Sequence, residues 1–282
     1  MEEVGEYYRF NKVKQAVDLK KKYGDEALVV AGGTIATQLI TRFGLRPKAI
    51  LSLENLPLNY VKITRAGVEI GATTTISNLL SIKNLPTALV QAARGIHGLA
   101  LKEMATIGGN IFSPAPAGDL ATALLALDAD LLLVRTGGKR IVPLNKFYKG
   151  SLTYNMRRDE ILYAIRISKV PKLSAFLKLT PYAYSGPTIC SAAVGMDLSD
   201  GKVARLAISV GGLTTHPYRA TVAEKMLKGK LLTEAIIDDA VARVTDGIQP
   251  SDDGFYSAEY KSKVAQVLVR KILYKLAGLN GR

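Results

Sequence analysis

Thr106-Ile107-Gly108-Gly109-Asn110-Ile111-Phe112-Ser113-Pro114-Ala115-Pro116-Ala117-Gly118-Asp119 is the stretch around which the chain is organised. Two adjacent glycines among apolar residues do not suit a plain strand. They permit positive φ and let backbone N–H groups approach a ligand closely. Asn110 adds an amide. Ser113 and Asp119 flank a rigid Pro-Ala-Pro turn, and Asp119 opens the apolar helical run Leu120–Asp128. Two readings of the stretch stand side by side: a tight structural turn ending in an Asp N-cap, or a ligand loop.

A second glycine pair favours the ligand. Ala27–Ala31 reads as a short buried strand, Gly32-Gly33 as a turn, and Thr34 as an N-cap. Ile35, Leu39 and Phe43 then recur at helical spacing. A strand, a glycine turn and a helix start form an anion site, because free N–H groups and the positive dipole end point outward. The chain has no G-x-G-x-x-G after this strand and no G-x-x-x-x-G-K-[ST], so the usual NAD and ATP signatures are absent. Two such turns, far apart in sequence, suit the two ends of one long dinucleotide.

Ala31-Gly32-Gly33-Thr34 and Ala105-Thr106-Ile107-Gly108-Gly109-Asn110, with Ile70-Gly71-Ala72-Thr73-Thr74 between them, resemble the FAD-binding medium subunit of the molybdenum hydroxylases. That family includes xanthine, carbon monoxide and aldehyde dehydrogenases. The likeness runs in order over nearly the whole chain, through Glu160–Ile167, Phe176–Leu179 and Val210-Gly211-Gly212. It implies an α+β fold: a non-Rossmann, PCMH-type FAD-binding domain of two subdomains, then a smaller C-terminal α+β domain. The expected boundaries are 1–170 and 171–282, around Pro171, with the subdomain break near 55–60.

The resemblance also implies roles. Ala31, Gly32, Gly33, Thr34 and Ile35 would hold the pyrophosphate through backbone N–H groups. Thr106, Gly108, Gly109 and Asn110 would hold its other side and the ribitol link, with Ser113 supporting the turn. Asp119 would accept from the adenosine ribose hydroxyls, and Ile161 or Leu162 would touch the adenine. Thr73–Thr75 would lie beside the adenosine half, helix capping being the alternative. His97 and Leu101 would line the wall beside the flavin or diphosphate. Lys178 would face the isoalloxazine near N1 and O2, a surface lysine being the alternative, with Tyr182 and Tyr184 stacking on the ring. The Thr180–Pro187 loop is less basic than is usual in the family.

Composition narrows the chemistry. The chain has 282 residues, 48% of them hydrophobic, which is ample for a sizeable core and suits two domains. It has one cysteine, Cys190, and two histidines, His97 and His216. No internal disulfide can form, and no iron–sulfur cluster can be held by this chain alone. A His/Cys metal centre is equally unsuited. Redox chemistry here therefore requires a bound organic cofactor, with any other centres on partner chains. The resemblance places molybdopterin and 2Fe–2S clusters on a large and a small subunit, in a heterotrimer or a dimer of heterotrimers. Electrons would pass from those clusters via FAD to an external acceptor, and no catalytic acid or base is expected here. An aldehyde such as glyceraldehyde is the expected substrate of the complex; carbon monoxide and xanthine are alternatives.

The net charge is +14. Lysines cluster near both ends on helical patterns, as a solvated surface or a complement to an acidic partner. A nucleic-acid-binding protein would explain the charge but neither glycine turn. A stand-alone flavin reductase is the other competing reading. No apolar run approaches a membrane span, and the N-terminal residues lack a signal pattern, so a cytoplasmic location is expected. Lysine-rich, cysteine-poor composition without Trp suits a thermophile.

Elements follow from periodicity. Helices are expected over Asn11–Tyr23, Ile76–Leu80, Pro86–Ala93, Leu120–Leu127, Ala220–Leu227, Leu232–Val244 and Ala258–Leu276. Strands are expected over Lys48–Leu53, Tyr60–Thr64, Val68–Ile70, Asp130–Arg135, Lys139–Val142, Asp159–Ile167 and Ala175–Leu179. Thr188–Leu198 and Val203–Val210 form a hairpin. Asn145–Tyr154 reads as a polar, aromatic loop facing a partner or channel.

Overall fold

The computed structural model describes residues 5–113, 118–182 and 186–279. Pro114–Pro116 and Tyr184 therefore lie outside the described residues. Three sheets carry the fold, and the α+β class expected from the sequence is the class observed.

The first unit contains β1 (Glu6–Arg9), α1 (Val13–Tyr23), β2 (Ala27–Val30), α2 (Ala36–Thr41) and β3 (Ala49–Ser52). Its sheet is parallel in the order β1-β3-β2. Ala16, Val17 and Lys20 form the buried stripe of α1. The Lys20 ammonium donates to the Gly24 carbonyl beyond the helix end, so its charge is spent on an orphan acceptor. By contrast α2 buries nothing. It is capped by Ile35 rather than Thr34, and Phe43 lies beyond it and is exposed.

The second unit contains β4 (Val61–Thr64), β5 (Gly67–Gly71), α3 (Ile76–Ser81), α4 (Thr87–Arg94), α5 (Leu99–Met104), α6 (Ile107–Ile111), α7 (Asp119–Ala126), β6 (Asp130–Arg135), β7 (Gly138–Pro143), β8 (Tyr148–Gly150), β9 (Thr153–Tyr154) and β10 (Ile161–Ile167). The main sheet is antiparallel in the order β4-β5-β10-β6-β7. Strand β10 feeds two cores: Ile161 packs with the first unit, while Leu162, Ile165 and Ile167 pack beneath the helices. Every residue of α7 is buried, as expected of a helix apolar on all sides.

The third unit contains β11 (Leu173–Leu179), β12 (Cys190–Ser199), β13 (Lys202–Gly211), β14 (Tyr218–Arg219), α8 (Thr221–Leu227), α9 (Glu234–Val241) and α10 (Ala258–Ala277). Its sheet is antiparallel in the order β11-β12-β13-β14. Helix α7 lies directly on this sheet. A Cβ at Gly195 would overlap the Ala126 carbonyl, and one at Gly211 would overlap Thr122 Oγ1. Ser209 Oγ donates to the Thr122 carbonyl at 2.6 Å.

Ion pairs fix the C-terminal end of α7. Asp128 receives Arg205 at 2.8 Å and also pairs with Arg219, which pairs with Glu224 at 2.6 Å. At the other edge, β11 is stapled to α4. Ala88 N–H donates to Ser174 Oγ at 3.1 Å, and Phe176 N–H to Gln91 Oε1 at 2.7 Å.

Several expectations are corrected. The Thr106–Asn110 motif starts a helix, not an open turn. Asn145–Tyr154 is no loose loop: β8 and β9 pair, and Phe147 is fully buried among Phe112, Tyr148 and Tyr154. The buried face of α10 holds Lys261, Ala265, Leu268, Val269, Ile272 and Leu273, leaving Val267 exposed. Lys261 can be buried because Asp253 meets its ammonium at 3.2 Å.

Candidate cofactor site

The two glycine pairs come together. A Cβ at Gly32 would overlap the Met104 carbonyl and stand 3.3 Å from Ala105 Cα. The first glycine turn thus lies against the residues leading into Thr106. Only glycine allows this approach, because any side chain would collide with backbone.

Gly33 has φ +72° and turns the chain so that the segment 32–35 ends at α2. Among the described residues, the N–H groups of Gly32, Gly33, Thr34 and Ile35 have no hydrogen-bond partner. Four successive unpaired donors next to a tight turn suit an anion better than water alone. Ala31 and these four residues are all partly buried.

The second motif is held from three sides. Thr106 caps α6, its Oγ1 accepting from Gly109 N–H at 3.1 Å. Gly108 N–H donates to the Ala72 carbonyl at 3.0 Å, and a Cβ there would stand only 2.5 Å from that oxygen. The Tyr148 and Tyr154 hydroxyls donate to the carbonyls of Ile111 and Phe112 at 3.0 and 3.2 Å. Those carbonyls close the helix, so the aromatic cluster is what seats it. Ser113 Oγ donates to the Gly109 carbonyl at 3.2 Å. Gly109 itself is exposed, and its missing Cβ would meet nothing but Thr106 Oγ1 at 3.1 Å.

Asp119 is the first residue of α7 and does not cap it; the cap position is Gly118. The capping acceptor comes from the second motif. Asn110 Oδ1 accepts from Leu120 N–H at 2.9 Å and Ala121 N–H at 3.3 Å. Asp119 is instead 3% exposed and bonded to Lys178 Nζ at 2.8 Å. Thr188 Oγ1 lies 3.0 Å from Asp119 Oδ1 and 3.3 Å from Lys178 Nζ. Burial pushes the Asp119 carboxyl above the ordinary range, against the pull of Lys178, Thr188 and, through space, His97.

This pair corrects one assignment. A ribose at Asp119 and a flavin ring at Lys178 lie at opposite ends of an extended dinucleotide. Two groups 2.8 Å apart serve one end only. Ile161 and Leu162 are buried core side chains, so neither presents its side chain to an adenine. His97 is half-buried beyond α4. Leu101 and Met104 are exposed on α5, a helix that, like α2, buries no residue. Tyr182 is exposed. Thr75 caps α3 through Asn78 N–H, and Thr74 Oγ1 donates to the Tyr60 carbonyl at 2.9 Å. Thr73 Oγ1 is buried without a hydrogen-bond partner among the described residues.

Residues 2–170 match the family model described as the FAD-binding domain in molybdopterin dehydrogenase. This chain belongs to that family. Residues 185–276 match the carbon monoxide dehydrogenase flavoprotein C-terminal domain. The chain is 28% identical to the glyceraldehyde dehydrogenase medium chain of Sulfolobus acidocaldarius, over 96% of its own length and 98% of that protein's. It is 29% identical to the carbon monoxide dehydrogenase medium chain of Afipia carboxidovorans, over 94% of each. A chain in the crystal structure of the cyanide-inactivated Cu,Mo-CO dehydrogenase superposes with TM-score 0.91 at 28% identity, over 99% of both chains.

The residues present fit FAD. The four unpaired N–H groups of 32–35 would suit a diphosphate, exposed Gly109 leaves room for one, and the exposed Leu99, Leu101 and Met104 of α5 offer an apolar wall to a large planar ligand. Sequence reasoning missed α5, the tyrosine clamp on α6, and Thr188. The aromatic run Phe147, Tyr148 and Tyr154 was the available signal for the clamp.

Proposed function

We propose that the chain is the FAD-carrying electron-transfer subunit of a molybdopterin-, iron–sulfur- and flavin-dependent oxidoreductase whose substrate is an aldehyde, with glyceraldehyde the first candidate. The observation that carries the reading is the run of unpaired N–H donors at 32–35 lying against the approach to Thr106. The near full-length similarity to a glyceraldehyde dehydrogenase medium chain supports the substrate class.

Bound FAD supplies reversible two-electron storage. The chain's own residues do the rest. The 32–35 amides and the Thr106–Asn110 helix hold the diphosphate. Exposed Leu101 and Met104 form an apolar wall. Lys178, fixed by Asp119 and Thr188, supplies a cation at one end of the site, where positive charge favours the electron-rich form of a ring.

With a single cysteine, the chain needs partners to receive electrons. An iron–sulfur small subunit and a molybdopterin large subunit, as a heterotrimer or its dimer, are the partners proposed. Co-expression of the three chains and assay against glyceraldehyde, carbon monoxide and xanthine tests the reading. Dye reduction with the aldehyde alone is expected; reduction only with carbon monoxide or xanthine replaces the substrate, and no assembly refutes the proposal.

A further inference from the structure

Gly95 ends α4 at φ −68° and ψ −12°, a conformation any residue adopts. Backbone geometry gives no reason for glycine there, unlike Gly98 with φ +91°. Space does. A Cβ on Gly95 would stand 3.2 Å from Lys178 Cε. Its other neighbours, the carbonyl oxygens of Ala92 and Gln91 at 3.4 Å, belong to the preceding turn of the same helix.

The position is part of a register between α4 and β11. Ala88 bonds Ser174, Gln91 bonds Phe176, and Gly95 meets Lys178, turn by turn along the helix and residue by alternate residue along the strand. The first two contacts fix the strand. The third leaves a slot through which the lysine stem reaches Asp119 at 2.8 Å.

We infer that Gly95 is a positioning residue, whose missing side chain threads Lys178 onto Asp119 and so sets where the cation of the site stands. The consequence for the flavin rests on the proposed function; the threading does not.

Gly95→Ala, Lys178→Ala and the double variant of the full chain separate the two. With Lys178 present, the added methyl presses on Cε and draws the ammonium off Asp119, so the melting temperature falls. With Lys178→Ala the slot is empty. Alanine then fits an allowed conformation with a less disordered unfolded state, so the same substitution becomes neutral or stabilising. If Lys178→Ala leaves the chain unfolded, the cycle is run in an Asp119→Asn background, which removes the buried charge. Loss or reversal of the Gly95→Ala effect without Lys178 supports the inference. An equal shift in both backgrounds, or none with Lys178 present, overturns it.

In the FAD-loaded chain, Gly95→Ala is expected to shift the flavin midpoint potential in the direction of Lys178→Ala and by less. An opposite shift overturns the link to the cofactor. A chain that takes up no FAD refutes the functional reading, while the melting cycle still decides the threading.

Discussion

Asn110 Oδ1 accepts the backbone N–H of Leu120 at 2.9 Å, tying the end of the glycine motif to the start of the central helix. Helix α7 has no capping side chain of its own. The motif proposed to hold the second side of the cofactor therefore also caps the start of the helix that carries Asp119. Asn110→Ala should cost about 1 kcal/mol of stability, the scale of a lost cap, and Asn110→Asp, which keeps the acceptor, should cost less. Urea melts of the two variants check the order.

Gly108 and Gly109 have different reasons to be glycine. Gly108→Ala drives a methyl against the Ala72 carbonyl and should destabilise the chain by about 1–3 kcal/mol, as overpacking does. Gly109→Ala places its methyl 3.1 Å from Thr106 Oγ1, the end of a side chain that can yield, with no backbone atom in its way. It should leave stability at or above that of the natural chain but weaken FAD uptake. Melts and FAD titration of both variants together test this; equal losses of stability would refute the packing difference, and unchanged FAD uptake by Gly109→Ala would remove Gly109 from the cofactor wall.

That difference shows what the sequence could carry. Clean periodicity located α1, α7, β10 and the β12–β13 hairpin to within a residue or two, because each buries a continuous face. Strand β1 was invisible, since Glu-Tyr-Tyr-Arg at a sheet edge has no apolar alternation. Helix α5 buries nothing, so it left no stripe to read. The two glycines suggested a turn at 106–110, and tertiary contacts from Thr106, Ala72, Tyr148 and Tyr154 overrode their low helix propensity. In α10 apolar character alone does not mark the buried face, because a lysine, Lys261, is inside and Val267 outside. The two glycine motifs that the fold brings together were legible as sequence. The ion pair joining Asp119 to Lys178 was not, since it links positions far apart in sequence through a fold no local pattern encodes.

Arg219 joins Asp128, after α7, to Glu224 in α8. Arg219→Met leaves Glu224 half of its pairing in a poorly solvated place. The expected cost is about 2–3 kcal/mol, somewhat below that of breaking a fully buried pair, because Asp128 is partly exposed. Chemical denaturation checks it, and a loss under about 0.5 kcal/mol, the scale of an exposed pair, would show that the arginine does not staple the units.

His216 stacks on Tyr148, ring centroids 5.3 Å apart, behind the helix that Tyr148 caps. Burial lowers its pKa from the ordinary value of 6.5. The folded chain thus binds this proton less readily than the unfolded one. Its stability contribution is whole above pH about 6.5 and is lost as pH falls through that value towards the folded pKa. Denaturant midpoints at pH 7.5 and 5.5 should fall for the natural chain and fall less for His216→Phe, which keeps the stack. Identical pH dependence in the two would assign the loss to other groups.

The most direct test is the visible absorption spectrum of the purified chain, alone and after FAD addition. Two broad flavin bands that stay with the protein, and release FAD rather than FMN on denaturation, are predicted. A chain that stays colourless with FAD, both alone and assembled with iron–sulfur and molybdopterin subunits, would contradict the account at its centre.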